Sequence, residues 1–150
     1  MKIIANNKKA LFDYEIAEKW EAGIVLVGDE VKSLRQGNCS LIGSFATLHA
    51  GEMYLINCNI STYSKAYLKV EEAATRRRKL LLHRKQIAKL VGLIAQKGVT
   101  VVPLKIYFSP KNKVKVELGI GKHKKASDKR QSLREKDIKR ETNRTIKGLR

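Results

Sequence analysis

Residues 99–121 constrain the fold more than any other stretch. Val99-Thr100-Val101-Val102-Pro103-Leu104-Lys105-Ile106-Tyr107-Phe108 reads as one long strand. Pro110-Lys111-Asn112-Lys113 makes a turn. Beyond it, Val114, Val116, Leu118 and Ile120 alternate with Lys115, Glu117 and two glycines. That period of two predicts a partner strand with one face buried and one face wet. Pro103 has no amide hydrogen, so it belongs at an edge or a bulge.

The rest of the chain supplies what such a hairpin needs to close a core. Tyr14 and Ile16 alternate with acidic neighbours, and Ile24-Val25-Leu26-Val27 is fully apolar, so residues 13–27 read as a strand with a bulge or bend at Gly23. Asp29 then caps a short helix over 30–35 that stops at Gly37. Two further strands, 45–50 and 53–60, are joined at Gly51-Glu52. Residues 61–75, with Tyr63 and Tyr67, read as an exposed polar loop. Leu80, Ile87, Val91 and Ile94, with Leu90 beside them, predict one long helix over 79–97, with close packing at Gly92. The expected fold is therefore mainly β: an OB-fold-like antiparallel β-barrel of about six strands with two or three flanking helices. An open antiparallel sheet covered by a helix layer is the alternative.

Charge sets the function class. The chain of 150 residues carries a formal +18. Residues 122–150 hold twelve Lys/Arg against four Asp/Glu, with only Leu133, Ile138, Ile146 and Leu149 as large apolar side chains. Such a segment cannot bury enough surface to offset its own ordering entropy. Two parts are expected: a basic barrel over 1–121, and a basic tail over 122–150 that is unstructured or helix-prone until a polyanion orders it. Nucleic acid is the first partner to consider. No apolar run is long enough to span a bilayer and no secretion signal opens the chain, so no membrane partner and a cytoplasmic location are expected. The mutual repulsion of so many cations argues for a monomer.

Cys39 and Cys58 lack any metal-ligand spacing to each other or to the three histidines, and are read as small core or surface residues with no metal or cofactor. No nucleotide-cradling, zinc-protease or nucleophile-elbow motif occurs, which points away from an enzyme. Arg76, Arg77, Arg78 and Lys79 are four consecutive cations, suited to phosphates or simply to solvent. Leu81 is surplus to the expected helix stripe, turned about 100° from Leu80; it is either part of a wide apolar face or a platform for a base or sugar. His83 is either solvent-facing or a base-stacking residue. Glu21 is either paired with a neighbouring Lys or an acceptor for a guanine edge or a ribose hydroxyl, with Gly23 allowing close approach.

Several longer strings then match one family. Trp20-Glu21-Ala22-Gly23-Ile24-Val25-Leu26, Glu30-Val31-Lys32-Ser33-Leu34-Arg35-Gln36-Gly37, Arg78-Lys79-Leu80-Leu81-Leu82-His83-Arg84-Lys85, Val102-Pro103-Leu104-Lys105-Ile106-Tyr107-Phe108 and Asp128-Lys129-Arg130 resemble the SsrA-binding protein (small protein B, SmpB) family, as does Asn7-Lys8-Lys9-Ala10 ahead of them. The resemblance implies an RNA-binding adaptor. It would bind the tRNA-like domain of transfer-messenger RNA and deliver it to stalled ribosomes for trans-translation. It implies RNA contacts at Asn7, Glu21, Leu81 and His83. It also implies a tail, including Lys122, Lys124, Lys125, Asp128, Lys129 and Arg130, acting in the decoding centre and the mRNA channel of the small subunit. His123, Ser127 and Ile138 depart from the family pattern, and so does Glu71-Glu72-Ala73-Ala74 before the Arg run. A constitutive ribosomal or general RNA-binding OB-fold protein is the alternative function.

Overall fold

The computed structural model describes residues 2–61 and 74–124. Tyr63, Tyr67 and most of the expected 61–75 loop lie outside the described residues, as do Lys125, Ser127, Asp128, Lys129, Arg130 and Ile138 of the tail. In chain order the described elements are β1 (Lys2–Asn6), α1 (Lys8–Asp13), β2 (Tyr14–Ile24), α2 (Gly28–Arg35), β3 (Cys39–Ser40), β4 (Phe45–His49), β5 (Glu52–Ile56), β6 (Asn59–Ile60), β7 (Arg78–Leu81), α3 (Arg84–Ile94), β8 (Val99–Phe108) and β9 (Val114–His123).

The long hairpin of β8 and β9 is the spine. One edge of β8 pairs with β9, and its other edge pairs with β4 near Val101 and with β1 from Lys105 to Phe108. The order β8-β4-β5-β7-β2-β9, closed by the β8–β9 ladder, is a ring of six antiparallel strands. This is the expected barrel. Pro103 lies at a register shift between Pro103 and Lys105, where its missing donor interrupts no ladder. Inside the ring, Ala22, Ile24, Met53, Leu55, Leu80, Val101, Ile106, Val116, Leu118 and Ile120 form one cluster, joined by Leu34 from α2 and Leu90 from α3. Burying each such large aliphatic side chain stabilises the fold by about 1.5–3 kcal/mol.

The expected helix over 79–97 is corrected. Its first turn is the strand β7, in which Arg78 and Leu80 point inward while Leu81 points out. Leu80 pairs with Met53 on one side and Ile24 on the other. The leucine run is thus strand alternation followed by a helix start, and the surplus leucine disappears as a puzzle. Within α3, Leu90 is the buried residue and Val91 is half exposed. Gly92 has open space around it rather than a close neighbour.

Other boundaries move for local reasons. The hairpin loop is Ala50-Gly51, both with positive φ, the pairing that matches strand twist in a two-residue turn. The strand expected over 53–60 breaks at Asn57, whose φ is 60°, and its last part, β6, pairs with β3 instead. The bulge in β2 falls between Ile16 and Glu18, not at Gly23, which sits in regular register opposite Leu81. Ahead of β2, residues 2–13 form β1 and α1. The strand β9 also outruns the expected tail boundary: Lys122 pairs with Glu15 and His123 with Tyr14, and the Lys124 amide donates to the Asp13 carbonyl at 2.8 Å.

Candidate nucleic-acid interface

Strand alternation decides which sequence-expected residues can meet a ligand. On β2, Ala22 and Ile24 face the core, so Glu21 and Gly23 face outward. Gly23 lies opposite Leu81 of β7. A Cβ built on Gly23 would lie 3.2 Å from the Leu81 Cβ and 3.4 Å from its Cδ1, so a side chain there would press against this leucine. Leu81 is 51% exposed. Glu21 follows two residues along the same face, roughly 6.7 Å away at the strand repeat. An exposed apolar platform and a carboxylate therefore sit side by side, separated by about the width of a base.

The outer face continues across β9 and β8. Glu21 lies opposite Glu117, and Gly23 opposite Lys115. Glu117 lies opposite Lys105, and Lys115 opposite Tyr107. The like charges of Glu21 and Glu117 are offset by Lys105, whose Nζ is 3.1 Å from Glu117 Oε2, and by Lys19 at 4.0 Å from Oε1. The Tyr107 hydroxyl donates to Glu21 Oε2, and Lys105 Nζ stands 5.7 Å from the centre of the Tyr107 ring. Burial pushes the Tyr107 hydroxyl up, and the Glu21 carboxylate that accepts its proton pushes it further, so it stays a donor. Reading the chain did not single out Tyr107 or Lys105; their alternation with Ile106 is the signal that puts them on this face.

His83 joins the two elements that border the patch. It is exposed at the N-terminus of α3, two residues past Leu81. Its amide donates to Gln86 Oε1 at 3.0 Å, and its carbonyl accepts from the Ile87 amide at 3.0 Å. These backbone bonds fix the helix start and leave the ring outside.

Two of the residues expected to contact RNA lie buried in the fold. Arg78 is fully buried. Its Nε lies 2.6 Å from Glu30 Oε2, Nη1 donates to the Cys58 carbonyl at 2.6 Å, and Nη2 donates to the Ala74 carbonyl at 3.0 Å. Arg76 shares the same carboxylate, with Nη2 at 2.5 Å from Glu30 Oε1. Of the three arginines only Arg77 is exposed, stacked 4.5 Å above the Tyr54 ring. Burial alone would raise the Glu30 carboxyl; hydrogen bonds from Arg76, the Val27 amide and Arg78 outweigh it and hold the group below the ordinary carboxylate range. Asn7 is buried too. Its Nδ2 donates to the Leu41 carbonyl at 3.1 Å and the Pro103 carbonyl at 2.9 Å, while Oδ1 accepts from the Ala10 amide at 3.2 Å. Its side chain ties α1 to the barrel and has no amide hydrogen left for RNA.

Lys122 and His123 are exposed on β9, and His123 packs edge-on against Tyr14 at 4.8 Å between ring centres. Cys39 and Cys58 are free thiols, with Sγ atoms 4.0 Å apart. Among the described residues no cluster of His, Cys, Asp and Glu could hold a metal ion, and no helix is long and apolar enough to cross a membrane.

The chain is similar to known proteins over nearly its whole length. The family model described as SmpB protein matches residues 4–148. The SsrA-binding protein of Rickettsia africae (strain ESF-5) is 56% identical over 146 residues, covering 97% of this chain and 95% of the relative. That of Sulfurihydrogenibium sp. (strain YO3AOP1) is 51% identical over 147 residues, covering 98% and 95%. A chain from a solved structure described as "tmRNA-SmpB: a journey to the center of the bacterial ribosome" superposes with a TM-score of 0.69 at 47% identity, covering 87% of this chain and 94% of that one.

Proposed function

Because the chain belongs to the SmpB protein family, we propose that it is an RNA-binding adaptor of trans-translation. It binds the tRNA-like domain of transfer-messenger RNA and delivers it to stalled ribosomes. The observation that carries the reading is the outer face where Leu81 lies across from Gly23, with Glu21 two residues away along the same strand. A base unstacked in an RNA loop lies on Leu81, and its donor edge or a ribose hydroxyl meets the Glu21 carboxylate. His83 borders the same patch. Arg77 and Lys79 on the β5–β7 side and Lys115 on β9 attract the backbone, supplying affinity without sequence preference. The role is binding and positioning rather than catalysis, in the cytoplasm, as a monomer.

The tail residues Lys125, Asp128, Lys129 and Arg130 are assigned to the ribosome, in the decoding centre and the mRNA channel, with Lys122 and Lys124 at the root. The cut that separates the two roles follows Lys124, because β9 and the Lys124–Asp13 bond complete the barrel. A chain ending at Lys124 is expected to fold and to keep its affinity for the tRNA-like domain in a gel-shift assay, yet to fail to support peptide tagging on stalled ribosomes. Tagging by that truncated chain would remove the tail from the function. Loss of RNA binding would move the RNA interface off the barrel.

A further inference from the structure

We propose that Tyr107 is a positioning residue for RNA recognition, holding the Glu21 carboxylate in the one orientation that reads the ligand. This rests on the assignment of Glu21 to the RNA interface made above. An exposed glutamate on a strand samples several rotamers, and holding it still on binding costs free energy. Here that cost is met within the folded protein. The Tyr107 hydroxyl donates to Oε2, so Oε1 is the oxygen left to accept from a ligand donor. The ring below is itself fixed: Tyr107 is 6% exposed, it lies opposite Ile3 on one side and Lys115 on the other, and Lys105 stands over its face.

The electrostatics favour the same orientation. Glu117, opposite Glu21, is engaged by Lys105 and Lys19. Its charge is compensated, so Glu21 is not driven off the sheet by the neighbouring carboxylate. The hydroxyl cannot serve Oε2 as an anion, and both burial and the neighbouring carboxylates raise it away from ionisation. The class of group recognised is a hydrogen-bond donor, a base N–H or a ribose O–H, presented beside a base that lies on Leu81.

Tyr107→Phe removes one oxygen and leaves the ring and its packing. Binding of a transcribed tRNA-like domain is measured at fixed salt for wild type, Glu21→Ala, Tyr107→Phe and the double variant, alongside thermal unfolding of each. Tyr107→Phe is expected to weaken binding about tenfold or more, the scale of a hydrogen bond to a charged group. It should add nothing in the Glu21→Ala background. The slope of affinity against salt should stay unchanged, since no phosphate contact is lost. An equal loss in both backgrounds would overturn the proposal, because the hydroxyl would then act independently of Glu21. Wild-type affinity for Tyr107→Phe, with Glu21→Ala still impaired, would overturn it while leaving the interface standing. Full affinity in Glu21→Ala would bring down the interface assignment itself. Should Tyr107→Phe lower the unfolding temperature, the same cycle with Glu21→Gln, which keeps an acceptor oxygen for the hydroxyl, distinguishes the cases: retained coupling supports positioning, and none overturns it.

Discussion

At the scale of single residues, burial separates side chains that look alike in the sequence. Arg76, Arg77 and Arg78 are three identical letters in a row, yet one is exposed over Tyr54 and another is sealed inside the barrel against Glu30. No property of the run itself distinguishes them; β7 begins at Arg78 and turns that residue inward, whereas the expected helix began only at Lys79. Glu30 serves the fold, since removing one partner of a buried pair strands the other charge. Glu30→Gln is expected to destabilise the protein by about 3–5 kcal/mol at neutral pH. The sign with pH follows from the depressed carboxyl. Its contribution is present above the unfolded value near 4.5 and is lost as pH falls through the lower folded value. Thermal unfolding of wild type and Glu30→Gln should therefore converge below about pH 4.5. A gap that widens in acid would show that the pair does not carry this stability.

At the scale of elements, the long β8–β9 hairpin was legible because the two-residue period from Val114 to Gly121 has no helical reading and the β-branched and aromatic run before it supplies the partner. The short strand β7 was not, because four residues ahead of a helix fit either period. Asn7 was legible as important and not as structural: its partners, Leu41 and Pro103, are distant in sequence. Two glycines mark the difference between space and contact. Gly92 sits in α3 with nothing near its missing Cβ, so Gly92→Ala should raise stability by up to about 1 kcal/mol in denaturant titration. Gly121 sits where β9 meets the β2 bulge, and a Cβ there would lie 2.0 Å from the Glu15 carbonyl oxygen. Backbone cannot step aside as a side chain can, so Gly121→Ala should cost about 3 kcal/mol or more in the same titration. Equal effects at the two sites would refute this account of the β2–β9 seam.

At the scale of the whole molecule, charge is spread over both barrel and tail, +18 in all. Barrel and tail are assigned different partners, and salt can tell them apart. For the isolated tRNA-like domain, the slope of log affinity against log salt should be the same for the full chain and for the chain ending at Lys124, since the tail makes no phosphate contacts there. For whole ribosomes the full chain should show the steeper slope. A shallower slope on the isolated RNA after truncation would mean that the tail also grips the tRNA-like domain.

Because six strands close on themselves, the reading surface bows outward. A straight RNA duplex, itself a rod, meets such a surface along little more than a tangent line. Only an RNA that offers an inside corner can lay bases on Leu81 and backbone on the neighbouring cations together. The roundness of the barrel is thus expected to favour bent RNA over linear RNA before any base is inspected.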